Sequence, residues 1–330
     1  MNYSKLLLVP AVSILALLAG CSSSEEPQSK SSDKIVIAGI PKSTGGDFWE
    51  TVESGALEAA KELDIDLKWE GTVTETEIAE QTKIIENMIN LGVDAIALAP
   101  LNNQAQRKPV QTAVDNGIPV VIFDSAIDGN AHSSFVATDN KLGGAPGGEF
   151  MAKKLGGKGK VMVLRFVQGT ASTTKRSEGF IEAAKKGGLE IVADPFSESG
   201  TLEGSKSVAA NTLERYIENG KLALDGIFAA NLTSTLGVAS ALDDLRTAGI
   251  KVDVAFVGFD SSKKLVEELQ ADKIDALVVQ NPKRMGYLAI KAAYSAAKGE
   301  KLDAHIDTGV QVVTTDRIAK EPEIRALVGL

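Results

Sequence analysis

The chain has 330 residues, with 35 Lys and Arg against 44 Asp and Glu, and its formal net charge of -9 argues against a nucleic-acid or anionic-membrane surface. Its single cysteine excludes an intrachain disulfide framework and any multi-cysteine zinc or iron–sulfur site, so stability has to come from an ordinary apolar core. Aromatic residues make up only 5% of the chain, which makes an adjacent aromatic pair informative.

In chain order, an apolar run over 6–18 follows the lone charge of Lys5 and ends in Leu18-Ala19-Gly20-Cys21. The run is too short to span a bilayer, which takes about 20 residues, and has the flanks of a secretion signal. It resembles the signal and cleavage box of a bacterial lipoprotein. That resemblance implies removal of a signal peptide at 1–20 and a lipid on Cys21, so that the mature chain, of net charge -10 without Lys5, works outside the cytoplasm on a lipid tether. Residues 22–33 are rich in Ser, Glu, Gln and Pro without apolar periodicity, and 21–33 is expected to be a flexible tether.

From residue 34 onward about 300 residues remain, a length that favours two domains. Short β-branched runs predict strands at 35–40, 65–69, 95–99, 120–123, 161–164, 191–193, 226–229, 254–258 and 276–279. Between them, helical patterns run over 48–63, 78–91, 142–155, 175–186 and 236–248. Alternation of helices with continuously apolar strands predicts an α/β fold of doubly wound parallel sheets covered on both faces. Ligands of such sheets gather beyond the carboxyl ends of the strands.

The residues just beyond each strand therefore carry the functional signal. Lys42-Ser43-Thr44-Gly45-Gly46-Asp47-Phe48-Trp49 comes after the first strand, and Asp124-Ser125 after the fourth. Ala230-Asn231, Asp260 and Gln280-Asn281-Pro282 come after later ones, and Arg176 sits in the opening of a helix after Gln168-Gly169-Thr170. Carboxylate, amide and guanidinium groups bond neighbouring hydroxyls in pairs while aromatic faces cover C–H surface, the set a sugar or polyol needs. Nothing in the pattern calls for a cofactor, a metal or catalysis. Taken singly, each residue has a plainer duty: Asp47 as a helix cap, Asp124 and Asp260 as acceptors for loop amides, Phe48 and Trp49 as core, Arg176 as a solvated partner of Glu178 or Glu182.

From 35 to about 313 the chain resembles the ribose- and allose-binding type I periplasmic proteins of bacterial ABC importers. The resemblance rests on the ordered series Phe48-Trp49, Ile118-Pro119-Val120-Val121 leading to Asp124, Ala137-Thr138-Asp139-Asn140-Lys141-Leu142-Gly143-Gly144, Arg176-Ser177-Glu178-Gly179-Phe180, Phe228-Ala229-Ala230-Asn231, Val257-Gly258-Phe259-Asp260 and Val279-Gln280-Asn281-Pro282. It implies two lobes, 34–138 plus 281–308 and 139–280 plus 309–330, joined by three hinge crossings near 138–139, 280–281 and 308–309. It further implies that Phe48 and Trp49 sandwich a sugar ring, that Asp124 and Asp260 accept from hydroxyls, that Arg176 clamps ring or hydroxyl oxygens, and that Asn231 and Gln280 complete the shell. Lys42 stands where allose-binding relatives also carry a lysine. The expected activity is capture of a monosaccharide or small polyol by a monomer that delivers it to an ABC permease, the lobes closing by hinge motion.

Two positions depart from the family pattern: Ser125 stands where ribose-binding relatives have arginine, and Leu232 where an aspartate is usual. Arg165, at the end of a strand, is a candidate for the missing cation. Two other functions compete. The same fold serves ligand-presenting receptors for chemotaxis or sensor-kinase proteins. Ser172-Thr173-Thr174-Lys175, Thr138-Asp139-Asn140 and Lys42-Ser43-Thr44-Gly45 superficially match penicillin-recognising acyl enzymes, though in the reverse chain order.

Overall fold

The computed structural model describes residues 34–330. The expected signal segment, the lipid on Cys21 and the tether lie outside the described residues. Short apolar runs such as Val120-Val121-Ile122-Phe123 become strands because β-branched and aromatic side chains pack well on both faces of a buried pleat, and all four are buried.

In chain order the elements are β1 (Val36–Ile40), α1 (Asp47–Leu63), β2 (Asp66–Trp69), α2 (Ile78–Leu91), β3 (Ala95–Leu98), α3 (Arg107–Asp115), β4 (Val120–Phe123) and β5 (Ser134–Ala137). Then come α4 (Asn140–Lys154), β6 (Gly159–Leu164), α5 (Ala171–Lys186), β7 (Leu189–Ala193), α6 (Leu202–Glu214), the two-residue strands β8 (Ile217–Glu218) and β9 (Lys221–Leu222), β10 (Gly226–Ala229), α7 (Leu232–Thr247), β11 (Ala255–Phe259), α8 (Lys263–Gln270) and β12 (Ala276–Gln280). The chain ends through α9 (Pro282–Ala297), β13 (His305–Asp307), β14 (Val310–Val313), α10 (Thr315–Lys320) and α11 (Pro322–Leu327).

The larger strands form two six-stranded sheets, ordered β13-β5-β4-β3-β1-β2 and β14-β12-β11-β10-β6-β7. Every pairing in the first is parallel, and the second is parallel except where β14 runs antiparallel to β12. The expected doubly wound parallel architecture is present in both sheets, with β14 as an antiparallel edge strand. β14 continues from β13 through Thr308-Gly309, leaving a parallel strand of the first sheet at its carboxyl end and entering the second sheet, whose carboxyl ends face the first, against the direction of its neighbour β12. Each sheet carries apolar clusters on both faces, one set built around Ile37 and Ile96 and the other around Met162 and Val163.

The chain passes between the sheets three times, after β5, after β12 and between β13 and β14. Two of these passages are bonded to each other: Thr138 Oγ1 lies 3.2 Å from Thr308 Oγ1 and donates to the Gly309 carbonyl at 3.1 Å.

Two helix pairs sit backbone to backbone. A Cβ on Gly144 of α4 would stand 2.0 Å from the Arg176 carbonyl oxygen, and one on Gly179 of α5 would stand 2.0 Å from that of Lys141. Gly55 and Gly286 play the same part between α1 and α9. Glycine there removes the side chain that would otherwise hold the axes at the usual 8–10 Å spacing, roughly.

Candidate functional site

A cavity of about 380 Å³ opens where the carboxyl ends of the two sheets face each other. This is near the small end of the range for small-molecule sites, roughly 300–1,000 Å³, and suits a single ring better than a chain of them. Lys42, Phe48, Trp49 and Asp124 wall it from the first sheet's loops, and Arg176, Asn231 and Asp260 from the second's. Seven of the eight residues expected from the sequence thus meet on one surface.

Asp124 and Asp260 occupy equivalent places, each directly after a strand and each within the tripeptide Phe-Asp-Ser. Both adopt left-handed backbone, φ 58° and 68°, a conformation that Asp tolerates better than most residues. Each amide donates to the neighbouring strand, Asp124 to the Val136 carbonyl at 3.1 Å and Asp260 to that of Val278 at 2.8 Å. The main chain therefore aims both carboxylates at the cavity, a strained geometry of the kind found at functional sites.

The charges are buried and interlocked. Lys42, only 2% exposed, pairs with Asp124 Oδ2 at 2.6 Å and donates to Ser172 Oγ at 3.2 Å. Arg176, also 2% exposed, donates from Nε to Asn140 Oδ1 at 2.7 Å and lies over the Phe259 ring at 4.2 Å. Its Nη1 stands 3.8 Å from Asp260 Oδ2 and its Nη2 3.9 Å from Asp124 Oδ1, too far for hydrogen bonds. Nη2 is buried and has no hydrogen-bond partner among the described residues, which leaves a donor available to a ligand. Asp260 accepts from the Leu232 amide at 3.1 Å and from Gln280 Nε2 at 2.7 Å. Burial pushes its carboxyl above the ordinary range, against the opposing pull of Arg176 and these two donors.

Several expectations need correction. Gln280 does not line this cavity; it stands behind Asp260 and orients it. Phe48 and Trp49 do not form a slot, since their rings meet edge to face at 87° with centroids 5.1 Å apart, leaving no room for a sugar between them. Neighbouring helical positions diverge by about 100°, so Trp49 turns inward against Phe123 while Phe48 stays half-buried on the wall. Asp47 is not the cap of α1; Gly46 takes that place, and Asp47 is the first helical residue. Arg165 supplies no cation to the site, being paired with Asp194 at 2.9 Å over the Phe196 ring. Asn231 serves on the wall and as a cap at once, its Oδ1 accepting from the Ser234 amide at 3.0 Å.

Ser172 and Lys175 form no dyad. Lys175 turns outward to Glu178 at 2.9 Å, and Ser172 instead accepts from the Lys42 ammonium and donates its amide to Ser125 Oγ at 3.1 Å. That last bond links the two lobes and gives Ser125 a role an arginine side chain would obstruct. The Leu232 side chain is free to be apolar because the main-chain amide makes the contact with Asp260.

One charged wall residue escaped the sequence reading. Glu75, in the loop after β2, accepts from Trp49 Nε1 at 2.9 Å, and burial pushes its carboxyl upward while Lys42, the Trp49 N–H and Arg176 pull it down. The signal was its place beyond a strand's carboxyl end, the same rule that singled out the others.

The profile of the periplasmic binding protein domain family matches residues 37–301. This chain belongs to that family, in its ribose- and allose-binding branch. It is 28% identical over 305 residues to the ribose import binding protein of Bacillus subtilis, covering 91% of this chain and 95% of that protein. It is 30% identical over 296 residues to the D-ribose/D-allose-binding protein of Pseudomonas aeruginosa, covering 86% and 89%. Among solved structures, a carbohydrate transporter solute-binding protein of Agrobacterium radiobacter in complex with D-arabinose superposes with a TM-score of 0.82 at 32% identity, over 90% of this chain and all of that one. These relatives are binding proteins rather than enzymes, and the acyl-enzyme reading falls with the missing dyad.

Proposed function

We propose that this chain is the extracytoplasmic binding component of a bacterial ABC importer, a monomeric lipoprotein that captures a monosaccharide or small polyol between two lobes and hands it to the permease. The observation that carries the reading is the cavity itself: four carboxyl groups, an ammonium, a guanidinium with an unpartnered N–H and an aromatic wall, contributed in near-equal parts by two separate sheets. Such a site holds a polyhydroxylated ring by charge-assisted hydrogen bonds worth roughly 1.5–3 kcal/mol each, enough in number to reach micromolar affinity, about -8 kcal/mol, after the costs of association.

The lobes are 34–138 plus 281–308 and 139–280 plus 309–330. Arg176, Asn231 and Asp260 ride on one and Lys42, Phe48, Trp49 and Asp124 on the other, with Gln280 acting through Asp260. Ligand selects the closed arrangement by touching both at once.

A thermal-shift screen of pentoses, hexoses and sugar alcohols tests the reading, because a ligand that binds only the folded state at about 100 times its Kd adds about 2.7 kcal/mol of stability. A clear rise in Tm with at least one of them is expected; no shift with any sugar or polyol would overturn the proposal.

A further inference from the structure

Glu75 has no counterpart in the set of residues carried over from the family resemblance, yet its surroundings are those of a built contact. Beneath it, Thr72 Oγ1 donates to the carbonyls of Lys42 and Thr74 at 2.6 and 2.9 Å, and Glu77 Oε2 accepts from the amides of Val73 and Thr74 at 2.9 and 2.7 Å. The loop is thereby fixed to the strand end that carries Lys42. Above it sits Gly200 of the other lobe, where a Cβ would stand 3.4 Å from the Glu75 Cβ. Among the described residues the Trp49 indole is its sole hydrogen-bond partner, engaging Oε1 and leaving Oε2 free.

The charge balance of the cavity gives this free oxygen a meaning. Both wall cations already have a carboxylate beside them, Lys42 paired with Asp124 at 2.6 Å and Arg176 within 3.9 Å of both Asp124 and Asp260, although its Nη2 keeps an N–H free of hydrogen bonds. Beside these two stand four carboxyl groups, the exposed Asp47 at the rim and Glu75, Asp124 and Asp260 deeper in the wall. Even with protons on both Glu75 and Asp260, Asp47 and Asp124 still match the two cations, so no net positive charge is left over for an acidic ligand, and burying an unpaired anion beside carboxylates is costly.

We propose that Glu75 is a ligand-contacting, specificity-determining residue: its Oε2 accepts from a hydroxyl at the end of the sugar that lies against Trp49, and the acid-rich wall admits neutral sugars and polyols while shutting out their aldonic and uronic acids. This rests on the sugar-capture reading and adds to it the residue and the ligand charge class.

The test is calorimetric titration of the protein and of Glu75→Gln with the tightest neutral sugar from the screen and with its matching uronate or aldonate. Gln keeps an acceptor for Trp49 Nε1, so the indole stays in place and the loss reports the ligand contact. The expected result is a roughly tenfold or greater loss for the neutral sugar in the variant, with an unchanged Tm before ligand is added, and an acid bound at least roughly a hundredfold more weakly than the neutral sugar by the unaltered protein. Equal affinity of the two proteins for the neutral sugar, or comparable binding of acid and sugar by the unaltered protein, overturns the inference while leaving sugar capture intact. Should Glu75→Gln not fold, Glu75→Asp, which keeps the charge but shortens the reach, carries the same expectation and the same refutation. No binding of any neutral sugar by the unaltered protein would overturn the sugar-capture reading and this inference with it.

Discussion

Replacing Gly144 by Ala puts the architecture of the site to a direct test. The new methyl would lie 2.0 Å from the Arg176 carbonyl oxygen and 2.8 Å from its carbonyl carbon, both main-chain atoms that no side-chain rotation can clear. α4 and α5 must then part by about 1 Å to regain tolerable contact, and overpacking of this kind costs about 1–3 kcal/mol. For a domain of this size that corresponds to a fall in Tm of roughly 3–10 °C. Arg176 moves with its helix, away from Asn140 and from the two carboxylates it bridges, and the affinity for sugar should drop about tenfold or more. Gly143→Ala is the control: its Cβ would meet nothing nearer than the Thr138 methyl at 3.3 Å, and Ala is the better helix former, so stability should hold or rise by up to about 1 kcal/mol. Melting curves and calorimetric titration of both variants give the answer. A Gly144→Ala protein that melts and binds like its parent would refute the claim that helix contact positions the guanidinium.

Arg176→Ala should bind sugar more than roughly tenfold more weakly with only a modest loss of fold, because Asp124 keeps Lys42 and Asp260 keeps Gln280 and the Leu232 amide; calorimetry and melting curves together read both effects. Asp260 sets a pH dependence: its folded carboxyl holds a proton above the unfolded value of 3.8, so its contribution to stability is full below that value and is lost as pH rises through the folded one. Denaturant titrations without sugar, from about pH 4 to 7, should show the parent losing stability relative to Asp260→Asn, and parallel curves would contradict this. Cys21→Ser should release the protein from the membrane fraction into the soluble fraction, a shift that immunoblotting of fractionated cells detects; continued membrane association would count against a lipid on that residue.

Much of the site was legible because it obeys a positional rule. Asp124 and Asp260 each come directly after an apolar strand in an identical Phe-Asp-Ser setting, and Lys42 and Asn231 likewise lie just past strand ends. Strand ends can be read from local composition, and in a parallel sheet they all point the same way. The parts that resisted reading depend on groups distant in the chain. Gln280 looks like any other polar residue beyond a strand until Asp260, 20 residues away, is seen to claim its amide. The same holds for Arg165, whose partner Asp194 diverts it from the cavity, and for Glu75, whose tie to Trp49 spans 26 residues.

The amino-acid sequence by itself determined the alternation of buried strands with covering helices and the chemical character of the ligand wall, because apolar periodicity and residue type are local properties of the chain. Only the tertiary structure decided which carboxylate meets which cation, which face Trp49 and Phe48 present, and that β14 would reverse direction. Those outcomes turn on contacts of a few ångströms between segments brought together by packing, and no local pattern encodes such distances.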